Sequence, residues 1–276
     1  MVSALLITLR EGLEAALIVG IVLGYLDKTG QRARAPMAWA GVIVAALLST
    51  LAAVTMRVVG AELEEPFEQI FEGTTMLLAV AVLTWMIFWM RYQARYLQSD
   101  LEKRVQSAVT SGQNWGLFAL TFVAVVREGI ETALFLAANA FAADSASTLV
   151  GAILGLGIAI ASGVLIYVYA VRLDVKLFFN ITSFLMIVFA AGLLAHGIHE
   201  FQEIGWLPIL TSTAWNTETW LSNDSTLGAL LRALVGYNDS PTLLEVIGYI
   251  AYWVIVLQMV RWWTQRLALR LTHECP

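Results

Sequence analysis

Two five-residue motifs carry the chemistry open to this 276-residue chain: Arg10-Glu11-Gly12-Leu13-Glu14 and Arg127-Glu128-Gly129-Ile130-Glu131. Each lies inside a long apolar run. On a helix turning about 100° per residue, Glu14 falls about 40° from Arg10 and about 60° from Glu11, so all three share one face. A charged side chain within a membrane costs about 2.5–3.5 kcal/mol on insertion scales, or on the order of 9 kcal/mol for three. The dozen large aliphatic residues around the first motif return roughly 0.3–0.6 kcal/mol each. On that balance the charges must be paired, neutralised or exposed to a wet cavity. A static ion-pair network is the weaker account, because ionisable residues inside a membrane default to function.

If the two segments pack antiparallel, Glu11, Glu14, Glu128 and Glu131 meet. With both arginines the cluster has a formal charge of −2 when all groups are ionised. Such a site calls for a cation, and carboxylate oxygens suit a hard metal ion. Arg10 and Arg127 cannot ligate a metal; their role is to orient carboxylates through fork-shaped hydrogen bonds. Gly12 and Gly129 are accounted for by close helix packing. Carboxylate chemistry alone admits manganese as readily as iron.

Composition dictates the elements that hold these motifs. Hydrophobic residues make up 59% of the chain and charged residues 13%, against about 25% charged in soluble domains. Seven apolar stretches are long enough to cross a bilayer: 4–26, 36–59, 70–90, 115–140, 148–171, 178–200 and 242–263. Twelve of the 16 Lys and Arg residues fall after spans one, three, five and seven, from Lys28 to Arg270. Only Arg57 and Arg232 fall on the other side. Basic residues collect on the cytoplasmic side, so the N-terminus is expected outside and the C-terminus inside a cell (inner or plasma) membrane. Arg10, Glu11 and Glu14 spoil a cleavable signal, so the first span is read as retained.

The second motif follows the first by 117 residues, in a helix of opposite direction. The expected fold is therefore an all-α integral membrane protein of seven transmembrane helices. A 3+3 inverted-topology repeat (4–90 and 115–200) is followed by one extra helix (242–263), with the substrate site near the midplane. Residues 91–111 read as a cytoplasmic amphipathic connector. Residues 201–240 read as an extracytoplasmic segment with a short helix at 226–236, capped by Ser225 and ended by Gly236. Ser240 and Pro241 are expected as N-cap and first residue of span seven. Trp85, Trp89, Trp115, Trp253, Trp262 and Trp263 are expected in interfacial belts. Gly20 with Gly24, and Gly151 with Gly155, are expected at close helix contacts.

A second group of ligand-type residues sits at the expected outer surface. Glu62, Glu64, Glu65, Glu68 and Glu72 make an acidic loop, with Glu72 nearest the membrane. His196, His199, Glu200 and Glu203 share one helical face by spacing. Together Glu72, His196, His199, Glu200 and Glu203 form a candidate outer capture site; a solvated loop and a wet helix end are the competing account. A turn and a helix start account for Asp239 and Glu245.

Other classes fit less well. The net charge of −5 argues against nucleic acid as a partner. The single cysteine, Cys275, supports no disulfide framework or thiolate metal site. HEFQE at 199–203 lacks the second histidine of a zinc-protease helix, and HGIHE at 196–200 fails the inverted pattern. An intramembrane metalloenzyme is thus a remote alternative, no permanent cofactor is expected, and the chain is read as a transporter rather than an enzyme.

At REGLE (10–14) and REGIE (127–131) the sequence resembles the oxidase-dependent iron transporters, the high-affinity iron permeases, and in particular their bacterial EfeU-like members. FEG at 71–73, TWMIFWM at 84–90, HEFQEIG at 199–205 and GYNDSP at 236–241 extend the resemblance over nearly the whole chain. It implies ferric or ferrous iron as the transported substrate, with Glu11, Glu14, Glu128 and Glu131 as its ligands. It also implies extracytoplasmic partners: a ferroxidase or peroxidase-type protein and iron-delivery proteins.

Overall fold

The computed structural model describes residues 1–93, 103–107, 114–143, 145–169, 175–223 and 225–273. No β-strand occurs among them, only one antiparallel bridge between Thr213 and Thr242. The helices are α1 (Val2–Lys28), α2 (Ala35–Glu62), α3 (Phe67–Gln93), α4 (Asn114–Ala142), α5 (Ser145–Tyr169), α6 (Val175–Glu203), α7 (Thr226–Val235) and α8 (Leu243–His273). A 3-10 turn at Arg32–Arg34 leads into α2, and residues 103–107 are helical. The rest of the predicted 91–111 connector beyond residue 93 lies outside the described residues.

Five helices, α2, α3, α5, α6 and α8, are long and apolar enough to cross a membrane. α1 and α4 are as long, at 27 and 29 residues. Their motif charges alone set them apart.

The helix ends follow local chemistry. Pro36 stands in the first turn of α2, where its missing N–H costs nothing. Ser225 Oγ accepts from Gly228 N at 3.0 Å and starts α7; Gly236, at φ 70°, ends it in the left-handed region. The start of α8 differs from expectation. Thr242, not Ser240, is the cap: Glu245 N donates to Thr242 Oγ1 at 3.3 Å and Thr242 N donates to Glu245 Oε1 at 3.2 Å. This reciprocal Thr-x-x-Glu box outcompetes the Ser-Pro signal, while Pro241 supplies its carbonyl to Ala214 N.

α1 packs along α5 and against α4, α2 packs along α4, α3 along α6, and α8 lies against α6. Glycines allow these approaches. A methyl group on Gly41 would meet the Phe118 carbonyl and Thr121, and one on Gly151 would meet the Met1 carbonyl and Ala4. Likewise Gly12 abuts Ala159 and Gly129 abuts Ser49. Gly151 and Gly155 make the close contacts expected of them, but Gly20 and Gly24 face open space.

The buried core gathers Ile7, Met76, Leu83, Met86, Phe135, Met186, Phe189 and Leu193, with Tyr252 and Val256 from α8. The outward faces of α2, α5 and α8 leave large aliphatics such as Leu51, Ile153 and Ile250 exposed, an apolar surface suited to lipid. Trp85, Trp115 and Trp262 are exposed as a belt requires. Trp253 packs against the core and Phe184 instead, and Trp89 turns inward. The side chain of Trp263 lies outside the described residues.

Candidate metal centre

The helical spacing of each motif turns its charged face toward the other helix. On α1, Arg10 is wholly buried; its Nη1 donates to Glu11 Oε1 at 2.7 Å, and its Nη2 lies 3.2 Å from Glu14 Oε1. On α4, Arg127 Nε donates to Glu131 Oε1 at 2.9 Å and lies 4.0 Å from Glu128 Oε1. The two arginines differ in surroundings, since the Arg127 side chain is 37% exposed and that of Arg10 is 0% exposed.

Glu11, Glu128 and Glu131 each bring a carboxylate oxygen into one group whose members lie within 4.8 Å of one another. Glu11 Oε2, Glu128 Oε2 and Glu131 Oε2 are buried and receive no hydrogen bond. Acceptor oxygens crowded together in a low-dielectric interior repel unless a proton or a cation sits among them. Three carboxylates from two helices are a hard, oxygen-only donor set. Glu14, the fourth predicted ligand, stands beside this trio, held by Arg10 and within electrostatic reach of Glu128.

α3 supplies a contact to each arginine. Arg10 Nη1 points at Met86 Sδ at 3.4 Å, and the Arg127 guanidinium carbon sits 4.0 Å over the Trp89 ring. Neither residue was singled out from the sequence as part of the site. Their spacing of three on one helix was the available signal, and the terminal position of Trp89 pointed to an interfacial role.

Ile7, Met76, Phe135 and Leu193 are fully buried members of the apolar core. The histidines lie toward the C-terminal end of α6. His199 Nδ1–H donates to Glu245 Oε1 at 2.9 Å, and its Nε2 lies 3.2 Å from Glu203 Oε1. Glu200 packs against Gly73, next to half-buried Glu72. Glu62, Glu64 and Glu65 are exposed.

His196 faces away from this group. Its Nδ1 bonds the Gly192 carbonyl at 3.1 Å, and its Nε2 accepts from Arg232 Nε at 3.3 Å. Both ring nitrogens are thus engaged, Nδ1 within α6 and Nε2 in tying α7 to it. Glu245 does more than begin a helix. It is buried, and its oxygens accept from His199, from Thr242 N and Oγ1, and from Asn238 Nδ2 at 3.2 Å. Asp239 is also buried and accepts from Asn223 N at 2.9 Å.

The iron permease FTR1 family matches residues 1–271 of the chain. Among individual relatives, the chain is 38% identical over 255 residues to the ferrous iron permease EfeU of Yersinia pestis, covering 91% of this chain and 90% of that one. It is 39% identical to the ferrous iron permease EfeU of Yersinia pseudotuberculosis serotype I, covering 91% and 89%. It is 37% identical to the ferrous iron permease EfeU of Shigella sonnei, covering 91% of each. No solved structure matches the chain.

Proposed function

The chain belongs to the iron permease FTR1 family, and from that premise we propose that it carries ferrous iron through the Glu11–Glu128–Glu131 centre, with Glu14 as the fourth ligand during passage. As a family member it is a permease, a transporter and not an enzyme. The observation that carries the proposal is the set of three buried carboxylate oxygens without donors. Charge favours a divalent ion. Four carboxylates and two guanidiniums leave a formal −2, which one Fe(II) cancels; a trivalent ion would leave an uncompensated buried charge. The relatives named above are ferrous iron permeases, which agrees with that choice. Manganese in the divalent state is the second cation that the donor set admits.

In this reading α1 to α6 and α8 all span the membrane, and α1–α3 and α4–α6 are inverted repeats. The helix packing supports it. Exchanging the two halves turns the α1–α5 pair into the α4–α2 pair, and both are extensive. The glycine contacts exchange as well, Gly12 on Ala159 with Gly129 on Ser49, and Gly41 on Phe118 with Gly151 on Met1. The distribution of Lys and Arg supports an outer N-terminus and a cytoplasmic C-terminus.

At the outer end, Glu72, His199, Glu200 and Glu203 are the capture site in this reading, and His196 braces the segment above it. A ferroxidase or peroxidase-type protein and iron-delivery proteins are the extracytoplasmic partners this reading carries. The test is uptake into proteoliposomes supplied separately with Fe(II), Fe(III), Mn(II) and Zn(II). Fe(II) flux that vanishes in Glu128→Gln and Glu131→Gln is expected. Fe(II) flux at the wild-type rate in both variants would refute the site, and Fe(III) flux without Fe(II) flux would refute the substrate.

A further inference from the structure

The two arginines of the centre are restrained by different means. Arg10 is caged, with no exposed surface, two carboxylates at 2.7 and 3.2 Å, and Met86 Sδ at 3.4 Å. Arg127 has room to move, with 37% of its side chain exposed. A guanidinium has five donors in a rigid fork, and its strongest mode toward a carboxylate is bidentate. Arg127 nevertheless gives Glu131 one hydrogen bond, from Nε to Oε1, and stops 4.0 Å short of Glu128 Oε1. The ring of Trp89 lies under it, with its centroid 4.0 Å from the guanidinium carbon.

We propose that Trp89 is a positioning residue of the metal centre: by stacking on Arg127 it confines that guanidinium to one oxygen of Glu131 and keeps the other oxygen, with Glu128, open to the cation. This rests on the reading of Glu11, Glu128 and Glu131 as the iron ligands. Without the stack, Arg127 would be free to fork across both Glu131 oxygens or bridge to Glu128. The internal ion pair would then compete with the metal for its acceptors. Trp89 and Met86 lie three residues apart on α3, so one helix face touches both arginines and sets how far each reaches into the centre.

The variants are Trp89→Leu, Trp89→Phe and Trp89→Tyr, measured for Fe(II) uptake into proteoliposomes beside Glu131→Gln. Stacking of a cation on an aromatic face is worth about 0.5–2 kcal/mol, so Trp89→Leu should raise KM about 2- to 30-fold. The maximal rate should fall by less than KM rises, because internal competition weakens binding rather than translocation. Tyr and Phe keep a ring face and should restore most of the affinity, with KM rising in the order Trp, Tyr, Phe. A merely structural role would lower the amount of inserted protein without that KM order. If Trp89→Leu does not insert, the ring-bearing variants decide, and equal KM values for Trp, Tyr and Phe overturn the proposal. A Leu variant with wild-type KM, beside an inactive Glu131→Gln, overturns the positioning role and leaves the ligand assignment standing. A fully active Glu131→Gln removes the ligand assignment, and this proposal with it.

Discussion

Arg10 and Arg127 occupy matching places in their motifs, yet burial makes them unequal partners of the glutamates. Removing one member of a buried ion pair strands the other and costs about 3–5 kcal/mol. Arg10→Ala leaves Glu11 and Glu14 without their cation in a fully buried setting. It is expected to lower the detergent melting temperature sharply and to reduce the amount of folded protein. Arg127→Ala touches a side chain that is only partly buried, 37% exposed, so its effect on melting should be smaller while Fe(II) uptake changes. Equal melting temperatures for the two variants would contradict this asymmetry. At the start of α8, Glu245→Ala strands donors from His199, Asn238 and Thr242. A buried donor left unpaired costs about 1–3 kcal/mol, so residues 204–241 should become more sensitive to protease. Unchanged cleavage in that segment would contradict the bracing role of the Glu245 network.

Among the elements, the helix pairs α1–α5 and α2–α4 depend on backbone contact at small residues. Gly41 and Gly151 hold corresponding places, each facing a main-chain carbonyl of the neighbouring helix. Overpacking a tight contact costs about 1–3 kcal/mol. Gly41→Val and Gly151→Val should therefore destabilise the protein by similar amounts in thermal melts, whereas Gly20→Val, which faces open space, should not.

The helices themselves were legible before the structure, since apolar runs bounded by charge marked them to within a few residues at the described ends, except that α8 continues to His273, ten residues past the expected end of its span, where charged residues end the apolar run but not the helix. The motif glutamates were legible too, because acids inside an apolar run have few reasons to be there. What hydropathy does not encode is side-chain direction at helix ends. Trp89 reads as a belt residue by position and is turned inward by Arg127. Glu245 reads as a helix-start acid and is also the anchor of His199. The separation of Glu14 from the other three acids depends on the reach of Arg10, which spacing alone does not reveal.

At the scale of the whole molecule, two halves of opposite direction would bring one acidic motif from each side to a shared centre. Orientation is testable through the single cysteine, Cys275. In intact cells a membrane-impermeant thiol reagent should leave Cys275 unlabelled until the membrane is opened, and labelling from outside would reverse the topology. The account stands most directly on where iron sits. Anomalous diffraction at the iron edge, from crystals loaded with Fe(II) under anaerobic conditions, should place one peak within bonding distance of Glu11, Glu128 and Glu131. An iron peak elsewhere, with none among these three carboxylates in transport-competent protein, would contradict it.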